Sequence, residues 1–223
     1  MSGEELWLAS IWPFINAAIP AAPARVLEVG CGPLGGFVPE LLAHGYSATG
    51  VDPMAPANSH YRCVEFEQYD PPQSYDAVVA STSLHHVADV DVVLDRIATA
   101  MVPKGVLVVV EWAWERIDEE TARWCFARLP ARTEPGWLGQ RRDEWVASGD
   151  PWELYFRPWA SNEGLHPSER ILTALDERFH LRMRSDGPYF FPDLRDTAES
   201  DEQAAIDAGV IRPTAVRYVG QLR

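Results

Sequence analysis

Val26-Leu-Glu-Val-Gly-Cys-Gly-Pro-Leu-Gly-Gly36, followed by Gly50-Val-Asp-Pro53, decides the reading of this chain. A short apolar run carrying Glu28 ends in a glycine-rich turn. A second apolar run ends in Asp52, about 20 residues on, the spacing at which a doubly wound α/β sheet holds a nucleoside cofactor. Glycines let the backbone approach the ligand, and the acid accepts from the ribose hydroxyls.

The flanking pattern continues that architecture. Ser2 with Glu5 reads as a capping box. Behind it Trp7, Ile11, Phe14, Ile15 and Ala18 recur at helical spacing until Pro20 and Pro23. Strands are expected at 25–30, 46–52, 62–66, 75–81 and 106–111. Crossover helices are expected at 35–43 and, capped by Asp89, along the Val90, Val93, Leu94, Ile97 and Met101 face. Pro103-Lys-Gly105 reads as a turn. A helix at 167–177, a strand at 179–185, a short helix capped by Ser200 with Gln203 and ending at Gly209, and a strand at 215–222 follow. Strands alternating with helices imply a parallel sheet with right-handed crossovers.

Between Trp112 and Trp159 the character changes. Seven of the nine tryptophans lie there, with Phe126, Tyr155 and Phe156, and prolines at 130, 135, 151 and 158 break the stretch into short pieces. This reads as a mostly helical insertion after the fifth strand. The expected division is one domain, 1–223: an N-terminal helix (1–24), a binding core (25–111), a lid or substrate-contacting insertion (112–165) and the end of the sheet (166–223).

Composition narrows the partners. The formal net charge of −14 disfavours a nucleic-acid substrate, because phosphate backbones require clustered cations. Cys31, Cys63 and Cys125 show no C-x-x-C spacing. They read as reduced thiols in a cytoplasmic protein. No apolar run reaches the roughly 18 residues of a membrane span, and Glu4-Glu5 does not suit a secretory signal. Adjacent His85 and His86, with no third ligand nearby, make a poor metal site, so no metal is expected.

V-L-E-V-G-C-G at 26–32, V-D-P at 51–53, Y-D-A-V-V-A at 75–80 and L-H-H-V at 84–87 together resemble the class I S-adenosylmethionine (SAM) methyltransferases, among them the type 11/12-like enzymes that act on small molecules. The resemblance covers roughly 25–111. It implies a Rossmann-like seven-stranded sheet whose last two strands form an antiparallel edge. SAM is then the cofactor and S-adenosylhomocysteine the product, and methyl goes to oxygen or nitrogen of a small acceptor, for which aromatic or apolar walls are suited. The implied cofactor residues are Glu28, Gly30, Cys31, Gly32, Asp52, Pro53, Glu65 and Ser81, with Glu67 competing with Glu65. Glu28 either orders the loop or reaches the methionine amino group through water. His85 or His86 is the implied catalytic group beside the transferable methyl. The chain departs from the family at Leu34, where most relatives carry glycine.

Other features are read more plainly. Asp70-Pro71-Pro72-Gln73 echoes the D-P-P-Y motif of amino-group methyltransferases but precedes the fourth strand, so it reads as a loop. Arg141 and Arg142 suit an anion on the acceptor, though a solvated helix face is the expected placement. Pro188-Tyr-Phe-Phe-Pro192 is within reach of the cleft. Two rival functions stand beside methyl transfer: an NAD(P)-dependent oxidoreductase on a related fold, and a non-catalytic SAM-binding or interaction module, with a homodimer as one option.

Overall fold

The computed structural model describes residues 2–131 and 136–223, so Pro135 lies outside the described residues. Seven strands form one sheet in the order β3-β2-β1-β4-β5-β7-β6. The strands are β1 Arg25–Val29, β2 Ser47–Val51, β3 Tyr61–Arg62, β4 Tyr75–Ser81, β5 Met101–Trp112, β6 Phe179–Gly187 and β7 Ala215–Leu222. β1 to β5 are parallel, and β7 runs antiparallel to both β5 and β6. The helices are α1 Gly3–Ala18, α2 Val38–Ala43, α3 Val90–Ala100, α4 Glu119–Phe126, α5 Trp137–Ser148, α6 Trp152–Asn162, α7 Ser168–Arg178 and α8 Glu199–Asp207.

β1 and β4 are apolar on both faces because helices cover both. One face packs Leu27, Val29, Val78 and Ala80 against Val93, Leu94 and Ile97 of α3 and Ile171 and Leu175 of α7. The other packs Val26, Ala77, Val79 and Val108 against Ile11 and Ile15 of α1 and Leu41 of α2. A third cluster is the aromatic cap, where α4, α5 and α6 gather Trp114, Trp145, Trp152 and Phe156 over Trp112 and Phe190.

Several expected boundaries move, each for a local reason. α2 starts at Val38 rather than 35, because Gly35 and Gly36 take left-handed φ of 92° and 56°. The third strand is only Tyr61–Arg62, and Phe66–Gln68 forms a 3₁₀ turn. β5 begins at Met101. The expected turn at 103–105 is an irregularity within it, where pairing with β4 jumps from Met101 to Val106. α8 is capped by the Asp201 carboxylate accepting from Ala198 N, not by Ser200, and it ends at Asp207. β6 extends two residues further than expected, to Gly187. Among the described residues no helix is long and apolar enough to cross a membrane.

Candidate active site

The carboxyl ends of β1, β2 and β4 open onto a cleft of about 740 Å³. The turn after β1 supplies its floor. Gly30 (φ 81°) and Gly32 (φ 64°) hold conformations that side chains rarely adopt, and Gly30 N donates to Val51 O at 2.8 Å, tying the turn to β2. A Cβ on Gly32 would have only Glu4 Oε1 near it, at 3.9 Å, so the turn's second glycine leaves its backbone open to the cleft.

Asp52 follows the last residue of β2. Its Oδ2 accepts from Gly32 N at 3.0 Å and its Oδ1 from Met54 N at 2.7 Å. Each oxygen keeps a lone pair free for a ligand hydroxyl. Pro53, Glu65 and Glu67 also line the cleft, as do Cys31 and Ser81. Every residue expected at the cofactor, from Glu28 to Ser81, therefore borders one cavity. Both members of the Glu65/Glu67 pair are present, and the geometry does not choose between them. Burial, then the Glu28 and Asp52 carboxylates, push the Cys31 thiol up to about 12, leaving it unreactive.

Glu28 is buried in the interior of the turn. Both of its oxygens accept from Phe37 N, at 3.1 and 2.8 Å, directly before α2. Burial raises its pKa to about 8, against the lowering effect of the Phe37 and Val38 N–H groups; the Asp52 and Glu4 charges add a smaller upward push. A Cβ on Gly36 would meet Glu28 Oε1 at 2.2 Å, so glycine there is what admits the carboxylate.

The two histidines diverge. A 3₁₀ turn, Leu84–His86, follows β4. His85 is buried, its Nδ1 2.6 Å from Glu111 Oε2, and its ring lies edge-on to Trp112. His86 is exposed and lines the cleft. Its ring lies 4.1 Å from that of His85, centroid to centroid. Burial on its inner side and the neighbouring His85 lower the His86 pKa, so its neutral form is favoured.

Glu111, at the end of β5, organises this segment. It accepts from Ser83 N (2.9 Å), Leu84 N (2.6 Å) and His85, and its own strand neighbour Trp112 N (3.3 Å). No role was read for it in the sequence, though its signal matches that of Glu28: an apolar run interrupted by one acid where a strand reaches the cleft. Glu4, Trp7 and Leu8 of α1 also line the cleft; none of the three was singled out as a site residue from the sequence. Trp7 Nε1 donates to Ser81 Oγ at 3.2 Å.

The 188–192 segment packs against Trp7, though none of its residues is in the cleft lining. Tyr189 meets Trp7 edge-on at 5.4 Å and Phe191 stacks on it at 6.1 Å. The buried Glu202 carboxylate of α8 holds that segment by accepting from the N–H groups of Tyr189, Phe190 and Phe191. Of the arginine pair, Arg142 is half-buried and paired with Asp143. Arg141 instead is buried, paired with Glu144 at 2.6 Å and set 4.5 Å over the Trp159 ring, so the expectation of a solvated face fails for it. Asp70 to Gln73 lie in the loop before β4, away from this cleft. Among the described residues no group of three His, Cys, Asp or Glu is arranged to hold a metal.

Comparison with known proteins matches this architecture. The family model described as a methyltransferase domain fits residues 8–160. The ubiquinone biosynthesis O-methyltransferase of Bradyrhizobium diazoefficiens is 33% identical over 144 residues, 58% of this chain and 54% of that protein. The enzyme of the same name from Rhodopseudomonas palustris (strain HaA2) is 30% identical over the same shares. The chain spans about half the length of these relatives. Among solved structures, an S-adenosylmethionine dependent methyltransferase from Mesorhizobium loti superposes with a TM-score of 0.56 at 18% identity, covering 95% of this chain and 97% of that one. The N-methyltransferase NodS of Bradyrhizobium japonicum, in complex with S-adenosylhomocysteine, gives 0.53 at 15% identity over 96% and 86%. These likenesses establish the fold, and the family match, covering residues 8–160 of 223, establishes more. The chain belongs to the methyltransferase-domain family.

Proposed function

We propose that the cleft binds SAM and that the protein transfers its methyl group to an oxygen or nitrogen of a small organic metabolite. One observation carries the choice of cofactor. In dinucleotide-binding folds the pyrophosphate sits on the N-terminus of the helix after the first strand. Here the Glu28 carboxylate already occupies the N–H groups at that point. An anionic ligand would find the Phe37 N–H already taken, and neither Lys nor Arg is among the residues lining the cleft. An adenosyl ligand with a cationic methionine end fits the same lining. Asp52 is suited to its ribose diol, the glycines to close approach, and the acids to its positive charges.

A sulfonium methyl is already activated toward in-line displacement. The chain's own contribution is therefore orientation and exclusion of water. Trp7 and Leu8 wall the cleft on the α1 side, and the aromatic cap lies beyond β5. The cap's tryptophans turn inward. No tryptophan is among the exposed large apolar side chains of the described residues, although Val146 and Leu154 on the cap helices are.

Asp52→Ala is expected to weaken SAM binding by about 1–3 kcal/mol, the usual loss of charge-assisted hydrogen bonds. Calorimetric titration measures it; an unchanged affinity removes Asp52 from the cofactor site. For an acceptor that must lose a proton, His86 is the receiving base, and His85, held by Glu111, fixes its position. His86→Gln should slow methyl transfer to such an acceptor by about 10²-fold or more while SAM affinity stays the same. A full-speed variant would contradict the role.

A further inference from the structure

We propose that Glu4 of α1 is the counter-ion for the cationic end of the bound cofactor, which makes α1 a clasp over the cleft. This rests on the reading of the cleft as a SAM site and adds a residue that the glycine and aspartate motifs do not contain. Glu4, Trp7 and Leu8 stand at i, i+3 and i+4, so they share one face of the helix, and all three line the cleft. That face is held in place at two points. The Ser2–Glu5 capping box fixes the first turn, and the Trp7 indole is bonded to Ser81 at the tip of β4 and packed against Tyr189 and Phe191.

Glu4 therefore projects from an anchored helix toward the open side of the second loop glycine, its Oε1 lying 3.9 Å from where a Gly32 Cβ would be. Its carboxyl titrates above its ordinary value because it is partly desolvated. No hydrogen bond or ion pair engages its side chain among the described residues, and the other charged groups bordering the cleft are also acids. Partial desolvation beside like charges costs free energy that a ligand cation offsets. Glu5, one residue along, points away and is used up in the cap. Two cations on SAM are chemically able to take this place: the ammonium, which the product S-adenosylhomocysteine retains, and the sulfonium, which it loses. Pairing with the sulfonium would have a consequence for turnover, since the same carboxylate would hold substrate and lose its attraction for product.

The test is calorimetric titration of the wild type, Glu4→Gln and Glu4→Asp with SAM and with S-adenosylhomocysteine. Glu4→Gln is expected to weaken SAM about three- to tenfold with an unchanged melting temperature, since the amide keeps the shape and removes the charge. Glu4→Asp should recover part of the loss. A loss confined to SAM assigns the sulfonium, and an equal loss for both compounds assigns the ammonium; either supports the clasp. Equal affinity of Glu4→Gln and wild type for both compounds overturns it. A wild type that binds neither compound refutes the SAM reading itself, and the proposal with it, which distinguishes that failure from the first.

Discussion

Replacing Trp152 by alanine is expected to lower the unfolding free energy by about 3–5 kcal/mol, the range for deleting a large buried aromatic side chain. Trp152 is 1% exposed. Its ring stacks on Phe156 at 4.5 Å and meets Trp145 edge-on at 5.3 Å and Phe126 at 5.7 Å. Its Nε1 donates to Ile117 O at 2.9 Å, so truncation leaves a buried carbonyl without its donor as well as a cavity. Leu154, on the same helix but 66% exposed, is the control; its alanine variant should stay within about 0.5 kcal/mol of wild type. Urea denaturation followed by far-UV circular dichroism measures both. A small loss at Trp152 would mean that the aromatic cap is not packed as a core.

Gly30→Ala is the second large effect, and it bears on the site. The added Cβ would lie 2.3 Å from Ser83 Cβ and 2.9 Å from its Oγ, at a φ of 81°. Ser83 cannot simply move. Its Oγ donates to Val29 O and its N–H to Glu111 Oε1, both at 2.9 Å. Left-handed backbone on a non-glycine residue costs about 1–3 kcal/mol, and overpacking a similar amount, so about 2–6 kcal/mol together. Gly149→Ala isolates the backbone term. That glycine has a similar φ of 71° with nothing within 4 Å of the new Cβ, and its variant should lose about 1–2 kcal/mol. The excess at Gly30, together with a loss of SAM affinity greater than tenfold, marks the contact between the two loops. Equal losses at the two glycines would show that the turn after β1 yields where the account requires it to be rigid.

The sheet was legible because its signals are short-range. Val26 to Val29 and Tyr75 to Ser81 are buried strands, and a crossover helix with a clear glycine or cap signal follows each, α2 after β1 and α3 after β4. The expected cofactor residues could be grouped for a related reason: most lie at or just beyond strand ends, and strand ends in a doubly wound sheet converge on one crevice, where all of them line the cleft. What the chain did not disclose depends on tertiary contact. β5 runs through Pro103 and Gly105 because the Tyr75–Met101 pairing holds its start, whereas local chemistry there favours a turn. Arg141 sits in a window that reads as solvated, but Trp159 and Glu144 enclose it from the same cap. The adjacent histidines are indistinguishable in sequence; the carboxylate that separates them, Glu111, is 26 residues away from His85. Glu28 had two readings open, and its bonds to Phe37 N support the loop-ordering one.

The most direct measurement is calorimetric titration of the wild-type protein with SAM and, separately, with NAD. With Glu28 seated on the helix N-terminus and only acids among the charged groups around the glycines, the account predicts saturable binding of SAM and none of NAD. Clear binding of NAD with no heat from SAM would contradict it.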